Sequence, residues 1–269
     1  LNTIPDWLAE LKSKFKARVA RVFILHNNVL DIVDSNQGLR LDRCLKQHFP
    51  DYGMILFYNI SAGLTFPDET MKEVFKTAIG LKRDSSTPQQ QSTLSKAKNQ
   101  MLNEMGGPDT DFDEKRPYYI LPRLEQILKS DAQKSLVVIE YAETIAPAGD
   151  YVSLTPDKLF SLVSLQRWAI DRDIMNTNNL VILTTRSLLD LSPVLYAPTS
   201  KIEAIDIPLP DPKERLRFLY YLDENRKRQG KRSLTFEKEL THDRLAQLTA
   251  GLNRMALEDI VLRAEDKNT

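Results

Sequence analysis

Short apolar strands alternate with amphipathic helices along most of this chain, and that alternation restricts the fold more than any other feature. Residues 22–25 form a β-branched and aromatic run bounded by polar residues, which is typical of a buried strand. Similar runs lie at residues 54–58, 136–139, 180–183 and 202–207. Helical spacing of apolar residues fills the intervals, and parallel strands need such long crossovers. The sequence therefore predicts an α/β fold in which helices flank a five-stranded parallel sheet.

The pattern changes after the fifth strand. Asp211, Pro212 and Glu214 suit the N-cap, N1 and N3 positions of a helix, and further helical spacing follows to the end of the chain. We therefore predict an α/β domain over residues 1–210 and a small helical domain over residues 211–269. The alternation is also broken by polar, turn-rich sequence near residues 81–118, which we interpret as an exposed insertion.

Composition limits the class of protein. The chain has 269 residues, 42% of them hydrophobic, which is enough for a substantial core. Lys and Arg together number 37, as do Asp and Glu, so no net charge attracts nucleic acid or an anionic membrane. No apolar run approaches the roughly 20 residues that span a bilayer. The single cysteine, Cys44, has the helical spacing of a core thiol, and we expect a cytoplasmic protein.

The chain starts with Leu1 rather than Met and stops just after a helical pattern. We expect it to be a piece of a longer protein, with the helical domain truncated.

Several segments resemble AAA-type (AAA+) ATPases. Residues 205–211, Ile-Asp-Ile-Pro-Leu-Pro-Asp, match the family's I-E-I-P-L-P-D, and residues 192–200 fall where the family has D-P-A-L-L-R-P-G-R. Residues 249–257 resemble T-x-G-[FY]-S-G-A-D-L, and residues 131–140 resemble the approach to Walker B. The matches occur in the family's order and imply a P-loop NTPase-like α/β sheet followed by helices.

The resemblance also implies a nucleotide site, but the residues at its phosphate loop depart from the family. The turn after the first strand, which contains Asn27 and Asn28, has neither glycine nor lysine. A P-loop needs both, since glycines let backbone N–H groups converge on phosphate and the lysine meets its charge. The acids Asp31 and Asp34 in this segment would repel phosphate. We interpret it as a packed structural turn without the Walker A motif.

The positions of the Walker B and sensor residues depart as well. Glu140 stands where the family has the magnesium-linked Asp, and Tyr141 takes the place of the catalytic Glu. A phenol is a poor base at neutral pH. Glu143 matches a second acidic position that is more often structural. The sensor strand ends in Thr185 and Arg186 instead of Thr-Asn. Arg186 either pairs with one of the two glutamates or offers a cation to an anionic ligand, and we favour the ion pair.

Ala197 and Ser200 stand where the family has its arginine fingers, and neither side chain can reach phosphate on a neighbouring subunit. Asn253 and Arg254 match the helix that opens near the nucleotide, and Arg254 is the position where we expect any residual ligand binding. Phe66 is the candidate pore-loop aromatic, although packing against the next helix is the favoured interpretation.

Other chemistries have little support. His26, His48 and His242 are far apart and lack the spacing of metal ligands, so we predict no metal site. No G-x-S-x-G signature indicates a serine hydrolase.

The leading hypothesis is a catalytically degenerate AAA+ module of a larger, tandem AAA protein, which serves assembly, regulation or partner recognition. It implies no cofactor and no ATP hydrolysis by this chain alone. Its partners would be other AAA domains in cis or in a homo-oligomeric ring, and a further protein.

Two alternatives stay open. In one, an altered site holds Mg-ATP through Asn27, Asn28, Glu140, Arg186 and Arg254. In the other, the basic run at residues 226–232 makes the chain a nucleic-acid adaptor, although we favour a solvated helix end for that run.

Overall fold

A computed structural model describes residues 4–80, 115–230 and 240–266, so most of the predicted insertion at 81–118 and part of the basic run lie outside the described residues. The strands are β1 (Val22–Asn27), β2 (Ile32–Asp34), β3 (Leu39–Arg40), β4 (Met54–Asn59), β5 (Gly63–Thr65), β6 (Ser135–Ile139), β7 (Leu180–Thr184) and β8 (Ile202–Ile207). The helices are α1 (Asp6–Lys16), α2 (Leu41–His48), α3 (Glu69–Ala78), α4 (Pro117–Leu128), α5 (Pro156–Ile170), α6 (Arg172–Asn176), α7 (Pro212–Arg228), α8 (His242–Leu248) and α9 (Arg254–Asp266).

The main sheet confirms the predicted fold class and adds one strand to it. Within the described residues it has six strands in the order β5-β4-β6-β7-β1-β8. β4 pairs in parallel with β6, and β6 with β7, so that Met54 lies opposite Ser135 and Leu136 opposite Leu180. β5 pairs antiparallel with β4. The prediction of five strands was wrong at this edge because Gly63–Thr65 is too short to show a period-two pattern.

A second, two-stranded sheet lies in a segment that the sequence analysis interpreted as a turn. β2 and β3 form an antiparallel pair, and Asp34 accepts a hydrogen bond from the backbone N–H of Asn36 at 2.8 Å. Gly38 closes the turn with a φ of 62°, and a Cβ added there would lie 2.3 Å from the ring of Tyr221. Only glycine meets both conditions, since it tolerates positive φ and lets the backbone approach the ring.

The contacts divide the chain into two compact units. The first comprises residues 1–14, 25–50 and 204–269, and the second comprises residues 15–24 and 51–203. In the second unit β4, β6 and β7 consist almost wholly of buried residues, as expected of strands covered on both faces. In the first unit an apolar core joins α7, α8 and α9 with the hairpin residue Ile32.

The start of α7 confirms its prediction from the sequence. The Asp211 side chain accepts from the Glu214 N–H at 2.7 Å, and the Glu214 carboxylate accepts from the Asp211 N–H at 3.1 Å. This is a complete capping box, with Pro212 in the first turn.

Cys44 is fully buried, which confirms the core assignment. Burial, assisted by the charge of Asp34, raises the pKa of the thiol to about 12. The thiol therefore stays protonated and unreactive at neutral pH. No helix in the described ranges combines the length and apolar character needed to cross a bilayer.

Asn179 joins the start of β7 to its neighbours in the second unit. Its Oδ1 accepts from the Ser135 N–H at 2.8 Å. Its Nδ2 donates to the carbonyls of Leu128 and Ser130, each at 2.9 Å. Asn179, Ser135 and Leu128 are all buried, so solvent does not readily replace the amide as a partner of these groups.

We predict that Asn179→Ala lowers the free energy of unfolding by about 2 to 4 kcal/mol, because buried backbone groups lose their partner. Urea unfolding followed by circular dichroism measures the change. The neighbouring exposed Asn178→Ala is the matched control, with an effect within about 0.5 kcal/mol. Equal effects of the two substitutions would contradict the role given to Asn179.

Candidate functional site

The turn after β1 is built around the buried carboxylate of Asp31. Asn27 has a left-handed backbone, with φ 75°, and its side chain is exposed. Asn28 is buried, and its Nδ2 donates to Asp31 Oδ2 at 2.9 Å. The Asn28 N–H donates to the carbonyl of Ile207 at 3.1 Å, which fixes the turn to β8. The side chain of Asp31 is thereby held in one orientation inside the first unit.

That carboxylate lies at the N-terminus of α9. Asp31 Oδ2 accepts from the backbone N–H of Arg254 at 2.9 Å, and Oδ1 accepts from the N–H of Met255 at 2.9 Å. Asn253 completes the cap locally, since its Oδ1 accepts from the Ala256 N–H at 2.8 Å. A helix N-terminus favours an anion, because its first N–H groups have no partner within the helix and its dipole is positive there. Asp31 supplies that anion from within the chain.

The side chain of Arg254 is enclosed by acceptors of the same unit. Its Nε donates to Ser35 Oγ at 2.7 Å, and its Nη1 donates to the Ile32 carbonyl at 3.0 Å. Ion pairs join its Nη2 to Glu214 Oε1 at 3.2 Å and its Nη1 to Asp31 Oδ2 at 3.7 Å. Only 3% of the residue is exposed. Each of the three guanidinium nitrogens is thus in contact with a group of the chain itself.

We call this set of contacts the Asp31–Arg254 cluster; its side chains are those of Asn28, Asp31, Ser35, Glu214 and Arg254. The charges in and around the cluster oppose the binding of a further anion. Burial raises the pKa of Glu258, and the charges of Asp259 and Asp31 raise it further. Burial lowers the pKa of Arg254, against the opposing effect of Glu214 and Asp31. A guanidinium remains protonated despite such a shift. Two carboxylates, those of Asp31 and Glu214, thus face the single positive charge of Arg254, so an added carboxylate or phosphate is repelled rather than attracted.

The Walker B-like residues lie in the second unit. Glu140 Oε2 accepts from Asn59 Nδ2 at 2.9 Å, and the Glu140 N–H donates to the Tyr58 carbonyl at 2.8 Å. Tyr141 follows with φ 54°, a strained value for a bulky residue, and its side chain is 42% exposed. Glu143 Oε2 is buried without a hydrogen-bond partner among the described residues.

Arg186 does not make the ion pair that we favoured from the sequence. Its side chain is exposed, and within the described part of the chain no ion pair joins it to Glu140 or Glu143. The Glu140 carboxylate instead accepts a hydrogen bond from the side-chain amide of Asn59, at the end of the adjacent strand β4. Thr185 is buried, and its hydroxyl donates to the carbonyl of Ser187 at 3.0 Å.

The remaining candidate positions make local contacts. Ala197 accepts from the Ser200 N–H through its carbonyl at 2.9 Å, and Ser200 Oγ accepts from the Ile202 N–H at 3.2 Å. Phe66 packs on Phe75 of α3, with ring centroids 5.4 Å apart, in agreement with the favoured packing interpretation.

Three members of the Asp31–Arg254 cluster were not predicted from the sequence. Asp31 was recognised only as an acid that repels phosphate, and Ser35 and Glu214 were not assigned to any site. The role of Asp31 had a signal in the sequence. The turn lacks the glycine and lysine that bind phosphate but contains a carboxylate, and a carboxylate can serve as the anion at the N-terminus of a nearby helix. Nothing in the local sequence indicated that the helix would be α9.

Two protein-family models match the chain. The model of the AAA+ chaperone N-terminal Rossmann-like domain matches residues 1–208, and that of the AAA+ chaperone second helical domain matches residues 213–269. No curated protein matches the chain at a significant level.

We predict that Asp31→Ala lowers the free energy of unfolding by about 3 to 5 kcal/mol, since it leaves two helix N–H groups without an acceptor and removes one of the two carboxylates paired with the buried guanidinium. Urea denaturation at neutral pH measures the loss. Asp259→Ala removes an exposed carboxylate from the same helix and is expected to change stability by about 0.5 kcal/mol or less. If both variants unfold at the wild-type midpoint, Asp31 does not hold α9.

Proposed function

The chain belongs to the AAA+ chaperone family, and from that premise we propose that it is a catalytically degenerate AAA+ module. Its role is assembly, regulation or partner recognition within a larger AAA+ protein, without nucleotide turnover of its own. One observation supports the proposal most strongly: the buried Asp31 carboxylate accepts hydrogen bonds from the N-terminal N–H groups of α9 and pairs with Arg254.

Phosphate binding at a helix terminus needs free N–H groups and an available cation. Here the first N–H groups of α9 donate to Asp31, and Arg254 donates to Ser35 and Ile32. A phosphate would have to displace Asp31 from charge-assisted hydrogen bonds, each worth roughly 1.5 to 3 kcal/mol. It would then leave the Asp31 carboxylate buried and unpaired, which is a further cost.

The catalytic positions support the same proposal. Tyr141 stands where a hydrolytic AAA+ site needs a carboxylate base, and a phenol does not accept a proton readily at neutral pH. Glu140, the one acid left at the metal-linked position, is engaged with Asn59. The absence of a Walker A sequence in the turn at Asn27 and Asn28 is consistent with both observations.

A module of this kind has a helical segment that is fixed whether or not nucleotide is present. Members of AAA+ assemblies work through contacts with neighbouring protein subunits, so we propose other AAA domains, in cis or in a ring, as partners. Such contacts need a surface whose conformation does not change. The internal ion network keeps α9 in one position without a bound ligand, so the surface that α9 contributes stays the same.

The basic residues near the end of α7 favour protein over nucleic acid as the partner. Lys227 pairs with Asp223 at 2.8 Å, and Arg228 pairs with Glu224 at 3.7 Å, each one helical turn apart. Asp223 compensates the charge of Lys227, and Glu224 places a negative charge among the basic residues, so the described part of α7 presents no continuous cationic surface to a nucleic acid.

We predict that millimolar Mg-ATP neither gives a saturable heat of binding nor shifts the unfolding midpoint. A ligand present at 100 times its dissociation constant would stabilise the native state by about 2.7 kcal/mol, so the midpoint is a sensitive readout. Isothermal titration and thermal unfolding on one preparation provide the two measurements. Micromolar binding with turnover that Glu140→Ala abolishes would overturn the proposal in favour of an altered but active site.

A further inference from the structure

A groove of about 590 Å³ lies between α7 and the turn of the β2–β3 hairpin, entirely within the first unit. We call it the α7 groove, and it is lined by Arg217, Tyr220, Tyr221, Glu224 and Arg228 of the helix and by hairpin residues 36–37. Its volume falls in the range of about 300 to 1,000 Å³ that is usual for ligand sites. None of these residues belongs to the Asp31–Arg254 cluster.

The two arginines of the groove have charge available for a ligand. Arg217 is exposed, and its side chain has no ion pair or hydrogen bond in the part of the chain that the structure describes. Arg228 contacts Glu224 at 3.7 Å, but the two side chains are 77% and 68% exposed. Exposed pairs of this kind contribute little free energy, so an incoming carboxylate can replace Glu224 at Arg228 at small cost.

The spacing of the arginines determines the kind of anion that fits. They are eleven residues apart on one helix, which is three turns, so they share a face at a separation of about 16 Å along the axis. A single phosphate or carboxylate cannot contact both. An extended chain advances about 3.3 Å per residue, so two acids that are four to six residues apart span this distance.

Aromatic surface lies between the two charges. Tyr220 is 48% exposed, and its ring stacks on His242 with centroids 4.9 Å apart. Tyr221 is held by Phe218, at a centroid distance of 5.9 Å, and by the close approach of Gly38. Tyrosine and arginine are the residue types that most often dominate the free energy of protein interfaces, and fixed rings lose little entropy on binding.

We propose that the α7 groove binds an extended acidic segment of a partner protein, with two carboxylates four to six residues apart and an apolar residue between them. This rests on the proposed function and names the chemistry of its partner. A nucleic acid fits less well, because Glu224 lies between the arginines and Lys227 is paired with Asp223, so no continuous cationic track follows the helix.

The test uses fluorescein-labelled ten-residue peptides of serine and glycine that carry two glutamates and a leucine midway between them. Separations of the glutamates from two to eight residues form the series, and fluorescence anisotropy measures binding to the whole chain at low and at physiological salt. We expect the tightest binding at separations of four to six and a loss of affinity with added salt. Arg217→Glu and Arg228→Glu should each weaken binding about tenfold.

Arg244→Glu is the matched control, since it reverses the charge of an exposed arginine on α8 that does not line the groove. Arg217→Gln removes the charge of the side chain without introducing a negative one. The unfolding midpoint of each variant checks that it is folded. The proposal is overturned if no peptide binds, if affinity is independent of the separation, or if Arg244→Glu causes the same loss. It is also overturned if a labelled single-stranded oligonucleotide binds more tightly with the same dependence on Arg217 and Arg228.

Titration of the same preparation with Mg-ATP separates failure of this proposal from failure of the proposed function. Binding of Mg-ATP counts against the degenerate module and leaves the peptide data as they stand. If the protein binds neither the peptides nor Mg-ATP, the proposal for the α7 groove is wrong and the proposed function is unaffected.

Discussion

The turn after β1, the β2–β3 hairpin and the helices α7 and α9 share one interaction, the contact of the Asp31 carboxylate with the N-terminus of α9 and the guanidinium of Arg254. Through Arg254 the same contact reaches Ser35 and the carbonyl of Ile32 in the hairpin. Through Glu214 it reaches the capping box of α7. A turn, a hairpin and two helices that are far apart in sequence are thereby fixed by a single buried charge network.

An internal carboxylate differs from a bound phosphate in its energetics. It is always present, so the ordering of α9 costs no binding entropy and does not vary with nucleotide concentration. A buried ion pair contributes less net stability than its Coulomb attraction suggests, because desolvation offsets much of it. Loss of one partner is nevertheless expensive, since the other charge stays buried. The network therefore favours a fixed arrangement over one that switches with a ligand, which is the property that the proposed module needs.

The sequence predicted the features that local patterns encode. The apolar runs located the parallel strands, and Asp211, Pro212 and Glu214 located the start of α7 to the residue. Patterns failed where an element is only two or three residues long, as in β2, β3 and β5. They also failed for contacts between distant residues. Asp31 and the backbone of Arg254 are separated by 223 positions, and no periodicity records such a pair.

The most direct test of the account is amide hydrogen exchange at Arg254 and Met255, resolved by NMR, with and without millimolar Mg-ATP. If Asp31 holds the N-terminus of α9, both amides are protected in the absence of nucleotide, Mg-ATP leaves their exchange unchanged, and Asp31→Ala removes the protection. The account is contradicted if both amides exchange at the rate of exposed groups without nucleotide and become protected when Mg-ATP is added.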